Sequence, residues 1–204
     1  IDSAYSSLRC KHSIIATGSE PAISPRLSSD SRDHIFTANE VLEKEIAGGK
    51  TLIVGFGRTG LQLATVVTPF SSEQKIFEKQ SGLLPFLDTD VALQLQSMAP
   101  NLFESVKTST EVTRLTEQND SVLVEYTCNN EKKSEEFTQV IVATGSTPAT
   151  SNLGLDNTRV DVGPGGYISV DESMKTTDPS IFAVGGVTSK EMVSAAAARQ
   201  GVVA

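Results

Sequence analysis

The chain has 204 residues, room for one large or two small domains, and its 38% hydrophobic and 21% charged residues are those of an ordinary globular protein. Lys plus Arg number 17 against 25 Asp plus Glu, a net charge of −8, which argues against nucleic acid or an anionic membrane surface as partner, since both reward clustered cations. No apolar run approaches the roughly 18 residues of a membrane span, no basic-then-apolar leader is read at the start, and glycine and proline follow no low-complexity pattern.

In chain order, Ile14-Ile15-Ala16-Thr17-Gly18-Ser19-Glu20-Pro21-Ala22 reads as a buried strand ending in a glycine turn that the proline redirects. Thr37-Ala38-Asn39-Glu40 has the form of a capping box, and Val41, Leu42 and Ile46 supply the apolar stripe of a helix that Gly48-Gly49 stops. Thr51-Leu52-Ile53-Val54 is a short, β-branched apolar run of the kind found in buried parallel strands. Gly55-Phe56-Gly57-Arg58-Thr59-Gly60 follows at once, and Leu61, Ala64 and Val67 continue as a helix expected to end before Pro69. Lys75-Ile76-Phe77 is the next strand, closing at Glu78. Asp88 to Met98 predicts a helix with an acidic first turn. Ser121 to Thr127 alternates, Val122, Val124 and Tyr126 against Leu123 and Glu125. The polar tract Asn129 to Glu136 is expected to be a hairpin loop, with Phe137 to Val142 returning as a strand. Phe77, Phe70 and Leu63 are assigned to the core.

One segment echoes another. Ile141-Val142-Ala143-Thr144-Gly145-Ser146-Thr147-Pro148-Ala149 nearly repeats residues 14–22, and Ile181-Phe182-Ala183-Val184-Gly185-Gly186 is a third variant. Two copies without a fixed period are not a solenoid. The same strand end before, at the close of and after the central unit suggests one nucleotide domain nested within another.

The chemistry of Gly55-x-Gly57-x-x-Gly60 is backbone chemistry. The first glycine permits the tight turn, the second lets a pyrophosphate approach the main chain, and the third lets helix and strand pack closely. The helix start then offers N–H groups and partial positive charge to phosphates. Glu78 lies eighteen residues beyond Gly60, the spacing at which an acid meets the adenosine ribose. A carboxylate there accepts from the ribose hydroxyls and repels a 2′-phosphate, favouring NAD over NADP, an effect that neighbouring Lys79 softens. The blander alternative for Glu78 is a solvated strand-end charge. Arg58 either covers a phosphate or nicotinamide or is an exposed helix-start residue. Gln62 can hydrogen-bond but cannot act as a base.

No catalytic nucleophile–base pair is read. His12 and His34 are the only histidines and neither forms a triad. Asp88 and Asp90, two apart on a helix, do not face each other. Cys10 and Cys128 are far apart, with no CxxC and no metal-ligand spacing, so two free thiols in a reducing, cytoplasmic compartment and no metal site are expected.

Taken together, these residues resemble the class I pyridine nucleotide–disulfide oxidoreductases, with a layout most similar to dihydrolipoamide dehydrogenases. The carriers are Ala16-Thr17-Gly18-Ser19-Glu20-Pro21, the Gly55–Gly60 motif with Glu78, Leu84-Pro85 followed by Asp88 and Asp90, Ala143-Thr144-Gly145, and Thr176-x-x-Pro179-Ser180-Ile181-Phe182-Ala183-Val184-Gly185. Their order and spacing match over essentially the whole chain. The resemblance implies an α/β fold, a Rossmann-like parallel sheet with a small antiparallel β-hairpin extension, the three-layer FAD/NAD(P)-binding fold. It implies an NAD-binding domain at residues 31–150 flanked by partial FAD-domain segments at 1–30 and 151–204. The implied cofactor-binding residues are Gly55, Gly57, Arg58, Thr59, Gly60, Gln62, Glu78, Lys79, Val112, Thr144 and Gly145, with Thr17, Gly18, Gly185 and Gly186 on the flavin side.

The parent reaction it implies is hydride transfer between NAD(H) and FAD, coupled to a disulfide. The implied partners are a nicotinamide dinucleotide and the remaining FAD and dimerisation domains of a homodimeric parent. The family's redox cysteine pair and dimerisation domain are not found, so the chain is expected to be a piece of the parent that binds nucleotide without turnover. Four positions depart from the family pattern. Gly186 replaces a flavin-binding Asp, Gln62 a Glu near the nicotinamide, Thr59 an Ile, and Ser146-Thr147-Pro148 an Arg-x-Pro. These departures leave open a second reading, a truncated or decayed nucleotide-binding module that catalyses nothing. A different Rossmann enzyme, such as an adenosylmethionine-dependent methyltransferase, fits the repeated Ala-Thr-Gly strand ends less well.

Overall fold

The structure, a computed structural model, describes residues 9–22, 33–44, 46, 48–84, 87–189 and 192–204. Pro85 of the Leu84-Pro85 pair and the expected boundary at residues 30–31 lie outside them. The elements are β1 (Ser13–Ile15), β2 (Ser19–Pro21), β3 (Ile35–Thr37), α1 (Glu40–Glu43), β4 (Lys50–Val54), α2 (Arg58–Val67), β5 (Glu73–Phe77), α3 (Thr89–Leu102), β6 (Ser105–Lys107), β7 (Thr110–Glu117), β8 (Val122–Cys128), β9 (Glu131–Phe137), β10 (Gln139–Val142), β11 (Ser146–Pro148), β12 (Ile181–Ala183) and α4 (Ser194–Val203). They divide into two compact units, Pro21–Gly145 and Ile1–Glu20 with Ser146–Ala204.

The Pro21–Gly145 unit is built on a parallel sheet in the order β3-β10-β4-β5-β6. Its central strands are apolar on both faces, as a covered parallel sheet requires. Ile53, Ile76 and Ile141 point to one face and pack with Leu63, Ala64 and Val67 of α2 and Ala99 of α3. Leu52, Val54, Phe77, Val140 and Val142 point to the other and meet Val112, Leu115, Val122, Val124, Tyr126 and Phe137 of the antiparallel sheet β7-β8-β9. Helices, parallel sheet and antiparallel sheet make three layers, and each large side chain buried between them contributes about 1.5–3 kcal/mol. Phe77 anchors the second interface, its ring centroid 4.6 Å from Tyr126 and 6.1 Å from Phe137.

The capping box before α1 forms in both directions. The Thr37 N–H donates to Glu40 Oε2 at 2.7 Å, and the Glu40 N–H donates to Thr37 Oγ1 at 3.3 Å. In the other unit β1 and β12 pair in parallel, β2 pairs with β11, and a small core gathers Ile168, Ala183 and Val187. The internal echo becomes two matched sets of hydrogen bonds, one per unit. Thr17 Oγ1 donates to Ala149 O (2.6 Å) and the Ala149 N–H to Gly18 O (3.0 Å). Thr144 Oγ1 donates to Ala22 O (2.8 Å) and the Ala22 N–H to Gly145 O (2.9 Å).

Several expectations are corrected. The helix after Thr37 stops at Glu43, well before Gly48-Gly49, and Leu42 is exposed rather than part of a buried stripe. Ile14 and Ile15 are not buried: a two-stranded sheet leaves Ile14 more than half exposed. Phe70 sits in a single 3-10 turn after α2 and is exposed, because that turn lies past the last residue of α2 packed on the sheet, Val67. The polar tract after Asn129 is not a loop but strand β9. Asn129 and Asn130, at φ 51° and 65°, make a two-residue turn that closes the hairpin at once. Apart from Glu135, which is partly buried between Lys50 and Lys75, its charged residues stay in water because β9 is an edge strand. Strand β7 has no counterpart in the sequence-based elements. Helix α3 runs on to Leu102, and the predicted strands at 51–54, 75–77 and 121–127 lie within or against β4, β5 and β8. Among the described residues no helix is long and apolar enough to cross a membrane.

Candidate functional site

Strands β4, β5 and β10 end at the same edge of the parallel sheet, and a cavity of about 620 Å³ opens there. The carboxyl edge of an open parallel sheet is where such folds bind ligands. Of the residues expected to hold a cofactor, Gly55, Gly57, Arg58, Thr59, Glu78, Lys79, Val112, Thr144 and Gly145 all line this cavity.

The three motif glycines do three different jobs. Gly55 has φ +96°, and a Cβ there would stand 2.7 Å from the Ala143 carbonyl oxygen. A Cβ on Gly60 would stand 2.1 Å from the Gly55 carbonyl oxygen, so the first turn of α2 rides directly on the glycine turn. Gly60 therefore lies beneath the cavity and not on its lining. Gly57 is the opposite case: a Cβ there would meet nothing within 4 Å. That open space is the cradle a close-approaching ligand backbone would fill. Gly57 is also the residue before α2, which has no side-chain cap, so the helix start keeps its positive end for an anion.

Glu78, just past β5, ties the second strand to the glycine turn. One carboxylate oxygen accepts the Phe56 N–H at 2.7 Å and the other the Gln80 N–H at 2.7 Å. Each oxygen keeps a lone pair, so the group can still accept from ligand hydroxyls. Backbone bonds hold this corner against the end of β6 and the start of β7: the Glu78 N–H donates to Lys107 O, and the Thr110 N–H donates to Glu78 O. Val112 closes the floor, buried against Val54 and Phe77. Thr144 donates its hydroxyl proton to Ala22 O, and Thr144 and Gly145 both line the cavity.

Gln62, exposed on α2, is not part of the lining. Thr17, Gly18, Gly185 and Gly186 belong to the other unit. There a Cβ on Gly186 would stand 3.2 Å from the Gly18 carbonyl carbon and 3.3 Å from Ser19 Cβ, so the two glycine turns nearly touch. Cys10 is exposed and Cys128 half-buried, both free thiols. The lining includes residues that motif reasoning missed: Gln80, Thr110, Glu111 and Thr113. For the three on β7 the one signal in the sequence is the alternation of Thr110, Val112 and Leu115, broken by a bulge between Val112 and Arg114 that hides the period of two.

A family model for the pyridine nucleotide-disulphide oxidoreductases matches residues 2–201. The chain belongs to this family. Among curated relatives it is 30% identical over 199 residues to dihydrolipoyl dehydrogenase 2 of Haloarcula marismortui, covering 97% of this chain and 42% of that protein. It is 31% identical over 197 residues to the dihydrolipoyl dehydrogenase of Chlamydia pneumoniae, covering 97% of this chain and 41% of that one. Among solved structures, LpdA of Mycobacterium tuberculosis superposes with a TM-score of 0.80 at 26% identity, over 93% of this chain and 40% of that chain. This member of the pyridine nucleotide-disulphide oxidoreductases therefore spans about two fifths of the relatives it matches.

Proposed function

We propose that the chain is the NAD(H)-binding part of an FAD-dependent, dihydrolipoamide dehydrogenase-like oxidoreductase. Residues 31–150 form its NAD-binding domain, and residues 1–30 and 151–204 are segments of the FAD domain. The observation that carries the reading is the Glu78 carboxylate bonded to the Phe56 N–H of the glycine turn, at the rim of a cavity whose other wall is an uncapped helix start.

The roles follow from that geometry. Gly57 lets the pyrophosphate reach the main chain, and the start of α2 holds its charge. Glu78 takes the adenosine ribose hydroxyls, which gives NAD(H) preference over NADP(H). Thr144 and Gly145 offer backbone to the nicotinamide half, and Arg58 stands at the mouth over the phosphates. The bound dinucleotide supplies a hydride donor or acceptor, and this chain's part is to orient it. In the parent the hydride passes between NAD(H) and FAD, the remaining FAD and dimerisation domains are its partners within a homodimer, and this stretch alone binds without turnover.

Flavin binding is not assigned to this stretch. Gly186 carries no carboxylate where the resemblance calls for one, and its Cβ position is already crowded by Gly18 and Ser19. That same position favours the second reading, a decayed nucleotide module.

Calorimetric titration with NADH and NADPH, with a visible spectrum of the purified protein, tests the proposal. Colourless protein that binds NADH more tightly than NADPH is the expected result. A folded protein that binds neither nucleotide would leave the glycine turn purely structural.

A further inference from the structure

A second carboxylate stands at the ribose corner of the cavity. Glu111, on β7, reaches Lys79 across thirty-two residues of sequence, with Nζ to Oε1 at 2.9 Å. Both line the cavity beside Glu78. Both side chains are exposed, and the backbone brings their two segments side by side. The Glu78 N–H donates to Lys107 O (2.8 Å), the Ser109 N–H to Gln80 O (2.9 Å) and the Thr110 N–H to Glu78 O (2.9 Å), so residues 78–80 and 107–110 run zipped together. Lys79 and Glu111 extend from this zipper on the cavity side.

Lys79 follows the ribose-binding acid directly, where a cation would meet a 2′-phosphate. Left to itself, its ammonium would offset the repulsion from Glu78 and admit a phosphorylated ribose. Glu111 removes that option by occupying the ammonium. A ribose carrying only hydroxyls is indifferent to this arrangement, since Glu78 serves it directly.

We propose that Glu111 is a specificity-determining residue that holds Lys79 away from the 2′ position and so rejects dinucleotides bearing a 2′-phosphate. The proposal rests on the NAD(H) reading of the cavity. It makes discrimination at this site a property of two carboxylates, one just past β5 and one on β7, with Lys79 the cation they keep from the ligand.

The test compares NADH and NADPH dissociation constants for four forms of the 204-residue chain: unaltered, Glu111→Gln, Lys79→Gln and the double variant. Glu111→Gln is expected to shift the NADPH-to-NADH affinity ratio toward NADPH by about threefold to tenfold, the range for freeing one exposed charge at close quarters. The same substitution in the Lys79→Gln background should yield at most a small part of that shift. The shift should also shrink as salt is raised. An unchanged ratio in Glu111→Gln, or an equal shift with and without Lys79, overturns the proposal while leaving NADH binding, and the reading of the cavity, intact. Failure of the unaltered, folded chain to bind either nucleotide overturns both.

Discussion

Alanine at Gly60 and alanine at Gly57 should have opposite consequences, although the two glycines are three residues apart in one motif. At Gly60 the added methyl would lie 2.1 Å from the Gly55 carbonyl oxygen and 3.0 Å from its carbon, and contacts below 3.0 Å essentially never occur at a real Cβ. The helix start must lift by about 1 Å, an overpacking cost of about 1–3 kcal/mol. Gly55 cannot give way easily. Its N–H is bonded to Phe77 O at 2.8 Å and its own Cβ position is 2.7 Å from Ala143 O, so relief on that side strains a hydrogen bond worth about 1 kcal/mol. The better helix propensity of alanine returns at most about 1 kcal/mol. The net expectation is about 1–3 kcal/mol of lost stability, a fall of about 2–12 °C in melting temperature for a chain of this size. At Gly57 the methyl meets nothing within 4 Å and φ is −76°, so stability should stay within about 0.5 kcal/mol. On the proposed reading NADH affinity should instead fall by about tenfold, because the methyl would stand where that reading brings the pyrophosphate. Circular-dichroism melts and NADH titration of the two variants make the comparison. A Gly60→Ala protein that melts at or above the unaltered temperature would refute the close-packing argument. A destabilised Gly57→Ala would refute the claim that its Cβ side is open.

Glu78→Gln should weaken NADH by about tenfold and narrow its advantage over NADPH, since the amide lacks one acceptor for the Phe56 and Gln80 N–H groups and no longer repels phosphate; parallel titrations read both effects. Phe137→Ala should cost about 3–5 kcal/mol, because the ring is fully buried between β4, β5 and β8 and edge-on to Phe77; a denaturant midpoint measures it. Glu135 lies between Lys50 and Lys75. Burial works to raise its carboxyl, but the hydrogen bonds from the two lysines outweigh it and hold the group below its ordinary 4.5. Its contribution is therefore present above pH 4.5 and lost as pH falls through the lowered value. Glu135→Gln should destabilise the protein by about 1 kcal/mol at pH 7 and flatten the acid limb below pH 4.5 in a stability–pH profile. An unchanged acid limb would refute it.

Much of the site was legible along the chain because its chemistry is local. A β-branched run, a glycine turn and a helix are consecutive in sequence, and Gly55, Gly57 and Gly60 act through backbone geometry that a few residues specify. Glu78 was legible for the same reason, lying one strand and one helix further on. The repeated Ala-Thr-Gly segments likewise marked two equal strand ends before either was seen bonded.

What the chain order does not carry is which distant surfaces meet. Phe70 looks like a core residue until the helix it follows is seen to end its packed face at Val67. Residues 131–136 read as a loop because an exposed edge strand needs no apolar alternation, and only pairing with β8 gives them a conformation. Glu111 carries no motif, and its bond to Lys79 exists because strand pairing joins residues 78–80 to 107–110. Local backbone preference is written in neighbouring residues; the charge pattern at the corner of Glu78, Lys79 and Glu111 depends on contacts across thirty residues, whose energy is realised only when the sheets have formed.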